Sequence, residues 1–119
     1  MRDLWAAVDR HVTDRLLPRD AALDAALRAS AEAGLPPHHV SPAQGRLLEI
    51  LARSVGARRI LEIGALGGYS ALWLARGVAP DGEVVTLEAD PAHARVARAN
   101  VARAGAAARV EVREGRALD

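Results

Sequence analysis

A glycine-rich stretch between an apolar run and a helical pattern is the part of this sequence best suited to chemistry. Residues 61–70 read LEIGALGGYS, with three glycines in five residues. Glycine has no Cβ, so it permits positive φ and lets a ligand approach the backbone. The N-terminus of the helix that follows would offer free N–H groups and a partial positive charge, which suit an anionic group. The alternative is a tight turn that holds no ligand.

Two carboxylates near this turn favour the ligand. Glu88 ends a later apolar run, VVTLEAD, where it can accept hydrogen bonds from two ribose hydroxyls. The alternative for Glu88 alone is a solvated strand end. Glu62 lies inside the apolar run before the glycines, where an unpaired charge costs on the order of several kcal/mol. It would suit a ligand ammonium group, or it could pair with a nearby arginine.

The patterns around these residues predict a parallel βαβαβ unit preceded by helices. Strand patterns cover 58–65, 84–90 and 109–115, and helical patterns cover 69–78 and 91–105. Right-handed crossovers between such strands make the sheet parallel. Three helical patterns come first, at 3–17, 20–33 and 42–55; the first carries an apolar stripe and the third carries three leucines. We therefore divide the chain into a helical segment, 1–41, and an α/β half-domain, 42–119.

Composition excludes several classes of protein. A chain of 119 residues is typical of one domain, and its scattered charges sum to only +1, which argues against a nucleic-acid partner. Without cysteine, the chain can form neither disulfides nor a thiolate zinc site. No apolar run is long enough to span a membrane, and charges interrupt the N-terminus, unlike a signal peptide. A soluble, cytoplasmic protein is expected.

The order of glycines and acids separates two nucleotide cofactors. A dinucleotide fingerprint requires G-x-G-x-x-G. Here Ala65 and Leu66 interrupt the first G-x-G, and Glu62 precedes the first glycine. An acid at that point is unusual for a site that binds NAD. It fits a cofactor with an amino acid in place of pyrophosphate, which is S-adenosylmethionine.

Three stretches carry a resemblance to a known family. They are VSPAQGRLLEIL, the run from RRILEIGALGGYS to VARAG, and RVEVREGRALD. Over about residues 38–119, these stretches resemble the catechol and caffeoyl-CoA type of metal-dependent O-methyltransferases. The resemblance implies a Rossmann-like class I methyltransferase fold, S-adenosyl-L-methionine as cofactor and a divalent metal of the Mg²⁺ type. It also implies ten cofactor-binding residues. These are Val40 and Ser70 for the methionine carboxylate, Glu62, Gly64, Ala65, Gly68 and Tyr69 around the methionine, Glu88 for the ribose, and Gly115 and Ala117 against the adenine.

The chain also departs from the family pattern. The family domain is nearly twice as long, and its metal ligands and most of its acceptor pocket follow the third strand. We therefore expect neither a metal ligand nor a catalytic residue within residues 1–119. His38 and His39 are adjacent on a loop, and we interpret them as solvated or as flanking the cofactor.

The leading hypothesis is an S-adenosylmethionine-dependent O-methyltransferase for a small, catechol-like acceptor, represented here by its cofactor-binding half and inactive by itself. The alternatives are a non-catalytic cofactor-binding fragment, a module that a partner completes and, less favoured, an NAD-dependent enzyme. In the family's sheet the first strand is central, with helices packed on both faces. A sheet of three strands would leave that strand at an edge. We therefore expect a homo-oligomer, such as a dimer, or the remainder of a longer chain beside it.

Overall fold

The computed structural model describes all 119 residues and contains every element that the sequence predicts. The elements, in chain order, are α1 (Arg2–Leu16), α2 (Ala21–Glu32), α3 (Pro42–Ser54), β1 (Arg59–Ile63), α4 (Tyr69–Gly77), β2 (Glu83–Glu88), α5 (Pro91–Arg103) and β3 (Val110–Glu114). The βαβαβ unit and its preceding helices are confirmed, and each predicted boundary lies within a few residues of the observed one.

Local capping chemistry explains where the helices begin. Asp20 accepts hydrogen bonds from the N–H groups of Ala22 and Leu23 at the start of α2. Ser41 and Gln44 form a reciprocal capping box at the start of α3, with Pro42 in the first turn. Asp90 caps α5 in the same way as Asp20 caps α2. These side chains satisfy N–H groups that have no partner within the helix.

The three strands form a parallel sheet in the order β1-β2-β3, so β1 lies at an edge. The predicted edge position of the first strand is therefore confirmed. The side chains of Val84, Thr86 and Val112 are buried beneath the helices, and α4 and α5 both contact β2 and β3. The opposite face is open, because Leu61 and Ile63 are 64% and 70% exposed.

The expectation of helices on both faces is wrong for these residues. Both crossovers run in the same direction along the sheet, from β1 to β2 and from β2 to β3. Because each crossover is right-handed, α4 and α5 fall on the same face. The helices α2 and α3 then pack on α4 and α5, on the same side of the sheet. One face of the sheet therefore carries the whole core.

The uncovered strand yields a first testable prediction. The 119-residue chain, as a separate molecule, is expected to associate through the β1 edge, because unpaired N–H and C=O groups lie beside the exposed Leu61 and Ile63. Sedimentation velocity at low micromolar concentration should show species larger than the monomer, and Ile63→Lys should shift them toward the monomer. Val55→Lys is the matched control, since Val55 is apolar, 78% exposed and at the end of α3 rather than on a strand. A monomeric chain with a cooperative thermal transition and slowly exchanging β1 amides would contradict this prediction.

Candidate functional site

The glycine turn leaves β1 and is anchored to the end of β2. The N–H groups of Gly64 and Ala65 both donate to the carbonyl oxygen of Leu87, at 2.8 and 3.0 Å. Gly64 has φ 90°, and Gly68 has φ 82° as the N-cap of α4. Glycine adopts such φ values without the steric cost that a Cβ brings. The turn therefore ends β1 sharply and points the N-terminus of α4 at the carboxyl ends of the strands.

Glu88 clamps this turn to the start of α5. One carboxylate oxygen accepts the N–H of Leu66 at 2.7 Å, and the other accepts the N–H of Asp90 at 3.0 Å. Leu66 has φ 50°, the only positive φ outside glycine, so the clamp holds a conformation that leucine disfavours. The sequence predicted Glu88 as a ligand for ribose hydroxyls, and the structure adds this second, structural use. Each carboxylate oxygen keeps a lone pair for a further donor.

Glu62 lies beside the same turn and forms no ion pair. Its carboxylate accepts hydrogen bonds from Ser70 Oγ at 2.5 Å and from Thr86 Oγ1 at 2.7 Å. The arginine partner that the sequence left open as an alternative is absent from its surroundings. Burial raises the pKa of Glu62 above its ordinary value, and the two hydroxyl donors lower it by less. A half-buried carboxylate without a counter-ion is suited to a ligand cation.

A cavity of about 290 Å³ opens between the glycine turn and the loop that joins α2 to α3. Its wall is half apolar, with Leu35 and Leu48 among the contributors, and half polar. His39 donates from Nδ1 to the carbonyl oxygen of Val40 at 2.9 Å, and its ring centroid lies 5.8 Å from that of Tyr69. Six of the ten predicted site residues line this cavity: Val40, Glu62, Gly64, Ala65, Tyr69 and Ser70.

The other four predicted residues lie outside the cavity. Glu88 and Gly115 are joined at the same end of the sheet, where the Gly115 N–H donates to the Glu88 carbonyl oxygen at 2.8 Å. Ala117 follows on an exposed turn after β3. Gly68 packs closely against α5 instead, as shown by the distance of 3.4 Å between a Cβ built on Gly68 and the backbone of Ala97. The site is therefore a cavity continued by an open surface along the strand ends.

Three contributors were not singled out as site residues from the sequence. Thr86, on the neighbouring strand, donates a hydrogen bond from its hydroxyl to Glu62, and the β1–β2 register pairs these two residues directly. Leu66 supplies the N–H that Glu88 holds. Asn100 reaches the Gly67 carbonyl oxygen from α5. None of them carries a sequence signal for a ligand site, since each depends on how two distant elements pack.

Residues 1–119 form no candidate metal-binding site. They contain no group of three or more His, Asp or Glu side chains placed to hold one. The divalent metal that the family resemblance implies therefore does not fit the donors of this chain. None of the five helices combines the length and the apolar character that a membrane crossing requires.

A parallel sheet with a glycine turn after its first strand and an acid at the end of its second is the architecture of Rossmann-like methyltransferases. A family model described as O-methyltransferase matches residues 18–119. The chain belongs to this O-methyltransferase family.

Curated relatives and a solved structure agree with this assignment. A catechol O-methyltransferase of Mycobacterium tuberculosis is 56% identical over 112 residues, which are 94% of this chain and 51% of the relative. A catechol O-methyltransferase of Niastella koreensis is 46% identical over 116 residues, which are 98% of this chain and 52% of the relative. The O-methyltransferase from Bacillus cereus in complex with SAH is 55% identical, with a TM-score of 0.98 over 100% of this chain and 54% of that one. The chain thus spans about half the length of the relatives it matches.

Proposed function

We propose that this chain binds S-adenosylmethionine in the cavity beside the glycine turn, as the cofactor-binding part of an O-methyltransferase for small, catechol-like acceptors. The observation that carries the proposal is the Glu62 carboxylate, which lies on the cavity wall with no protein cation. The N-terminus of α4 lies beside it and favours a negative group. A carboxylate and a helix N-terminus in one cavity suit the ammonium and carboxylate groups of an amino acid.

The relatives support the same proposal. The Bacillus cereus structure is a complex with SAH, and two relatives are named catechol O-methyltransferases. In the proposed arrangement Glu62 binds the methionine ammonium group, while the backbone N–H of Ser70, in the first turn of α4, and the Val40 backbone hold its carboxylate. Glu88 binds the ribose hydroxyls, and Gly115 and Ala117 flank the adenine. Gly64, Ala65, Gly68 and Tyr69 shape the turn around the methionine chain.

The role of these residues in methyl transfer is to bind and to orient. When bound, the cofactor would supply a methyl group on a sulfonium sulfur: the oxygen of an acceptor hydroxyl would form the new O–C bond, the C–S electron pair would stay on sulfur, and the hydroxyl proton would pass to solvent. Glu62 and Ser70 fix the amino-acid end, and Glu88 fixes the ribose end, so the reactive centre between them is held in place. Positioning of this kind supplies much of the rate of a displacement reaction.

We expect residues 1–119 alone to bind the cofactor without turnover. The chain offers no metal-binding group that would lower the pKa of an acceptor hydroxyl and orient it. Calorimetric titration with S-adenosylmethionine, S-adenosylhomocysteine and NAD tests the binding, and a methylation assay with catechol and Mg²⁺ tests the turnover. Saturable binding of the first two, no response to NAD and no methylated product are expected. Binding of NAD alone would overturn the proposal in favour of a dinucleotide enzyme.

Glu62 gives a pH-dependent prediction. An ammonium group binds the charged carboxylate, so affinity for S-adenosylhomocysteine should fall as the pH is lowered through the raised pKa of Glu62. Glu62→Gln should bind about 10- to 100-fold more weakly at pH 8, the loss expected for charge-assisted hydrogen bonds, and with a flatter pH profile. Calorimetry between pH 5 and pH 8 measures both variants. A Gln variant with the affinity and pH profile of the wild type would remove Glu62 from the site.

The stability of the unliganded chain should change with pH in the opposite direction. The folded chain holds the Glu62 proton more tightly than the unfolded chain, whose value is near 4.5. The contribution of Glu62 to folding is therefore greatest below about pH 4.5 and is lost as the pH rises through the raised folded value. Glu62→Gln should remove this loss, so the variant should melt at a higher temperature than the wild type at pH 8 without ligand.

A further inference from the structure

A buried amide on α5 joins three elements around the glycine turn. Asn100 is 1% exposed. Its Nδ2 donates to the carbonyl oxygen of Gly67 at 2.8 Å and to that of Ala26 at 3.3 Å, and lies 3.5 Å from Ser30 Oγ. Its Oδ1 accepts a hydrogen bond from Arg103 at 2.7 Å. Both donors and the acceptor of the amide are thus used, so its orientation is fixed.

The glycine turn also lies directly on α2 at this point. A Cβ on Gly67 would overlap the Ser30 hydroxyl, so only glycine lets the turn approach so closely. Ser30 Oγ in turn donates to the Ala26 carbonyl oxygen at 2.7 Å. Leu27, Ser30 and Ala31 of the same helix line the cavity. The position of the turn therefore depends on where α2 docks, and Asn100 is the polar link between them.

We infer that Asn100 is a positioning residue for the cofactor cavity, which couples the docking of α2 to the geometry of the glycine turn. The inference rests on the proposed function. Asn100 does not line the cavity itself. It acts through its hydrogen bond to the carbonyl oxygen of Gly67, and the peptide after Gly67 leads into the N-terminus of α4. Because coupling between two sites is reciprocal, a ligand that fixes the turn also fixes α2.

The variant Asn100→Asp tests the link with little change of shape. Its carboxylate has no proton to donate at neutral pH, so it faces the carbonyl oxygens of Gly67 and Ala26 with like partial charge. Affinity for S-adenosylhomocysteine should fall at least about 10-fold at pH 7.5, the effect of losing one hydrogen bond of about 1.4 kcal/mol. Val101→Ala, a core truncation on the same helix, is the matched control for lost stability, and its affinity should stay within about twofold.

Amide hydrogen exchange distinguishes a lost link between the turn and α2 from a general loss of stability. Saturating S-adenosylhomocysteine should slow amide exchange in both the turn and α2 of the wild type and of Val101→Ala. In Asn100→Asp the turn should gain protection while α2 gains less. Equal affinity losses in the Asp and Val101→Ala variants, or protection of the wild-type turn without any protection of α2, would overturn the inference. The second result needs only the wild type, so it decides even if Asn100→Asp fails to fold.

The same experiments separate this inference from the proposed function. A wild-type chain that does not bind S-adenosylhomocysteine contradicts the proposed function itself. A wild type that binds it, with an Asn100→Asp variant that binds equally well, contradicts only the role of Asn100.

Discussion

Replacing Glu88 by alanine is expected to weaken S-adenosylhomocysteine binding by at least about 100-fold, since two charge-assisted hydrogen bonds of about 1.5–3 kcal/mol each are removed before water competes. The structure adds a second reason. The carboxylate also holds the N–H groups of Leu66 and Asp90, so its loss frees a turn that carries a positive φ at Leu66. We therefore expect a lower melting temperature as well as lower affinity, measured by calorimetric titration and by thermal denaturation.

Glu114 provides the matched control for Glu88. It ends the neighbouring strand in register with Glu88, and its exposed carboxylate pairs only with Arg98, at 3.4 Å. Exposed ion pairs contribute little, so Glu114→Ala should leave both affinity and stability almost unchanged. A Glu88→Ala variant that keeps the wild-type affinity would remove Glu88 from the site and leave it only the structural role.

Gly64→Val is expected to abolish measurable cofactor binding, an affinity loss beyond about 100-fold. Apart from Gly64 itself and its two chain neighbours, no residue has an atom within 4 Å of a Cβ built at this position, so the new side chain would project into open space beside the cavity. It would thus obstruct a ligand rather than the core. The β-branched residue also fits φ 90° badly and strains the turn.

Gly56 separates strain from obstruction. It also has a positive φ, 60°, and nothing within 4 Å of a built Cβ, but it lies after α3 and away from the cavity. Gly56→Val should lose stability through the same kind of strain and still bind S-adenosylhomocysteine. If Gly64→Val keeps full affinity, the turn serves only to reverse the chain.

The elements of the fold were predictable because their signals are local. Proline and Asp or Ser at helix starts, glycine at helix ends and short apolar runs between them mark each boundary. The positive φ of Gly64 and Gly68 also follows from the turn they must make. Leu66 could not be predicted in the same region, because its φ of 50° depends on a hydrogen bond from its N–H to Glu88, a residue from another strand.

The face that a helix buries was harder to predict. The leucines of α3 do not mark its buried face, because Leu47 and Leu51 are 53% and 52% exposed, whereas Gly45 and Ala52 are buried. The reason is close approach, because α4 packs so tightly that a Cβ on Gly45 would overlap the Trp73 ring. Helix α1 likewise buries none of its apolar stripe. Apolar periodicity identifies a stripe, but the neighbouring helix decides which face it can approach.

The candidate site was predictable only in part, for a related reason. Residue types and spacing pointed to the acids and glycines at the strand ends. The hydroxyl partners of Glu62 and the amide of Asn100 come from elements that packing alone brings near. A single sequence contains no distance between such elements. The contacts that these residues make with Glu62 and with the glycine turn are therefore known only from the structure.

The most direct test of the account is to map the ligand onto the backbone by NMR. In ¹H–¹⁵N spectra of the 119-residue chain, S-adenosylhomocysteine should shift the amides of the glycine turn, of Ser70 at the start of α4, and of Asp90 and Gly115 at the strand ends, while NAD should leave them in place. These amides surround the cavity and its continuation along the sheet, together with those of the loop before α3 and of the cavity-lining residues of α2, and surfaces away from the cavity should not respond. If S-adenosylhomocysteine shifts none of them, or shifts only amides elsewhere, the cavity beside the glycine turn is not the cofactor site.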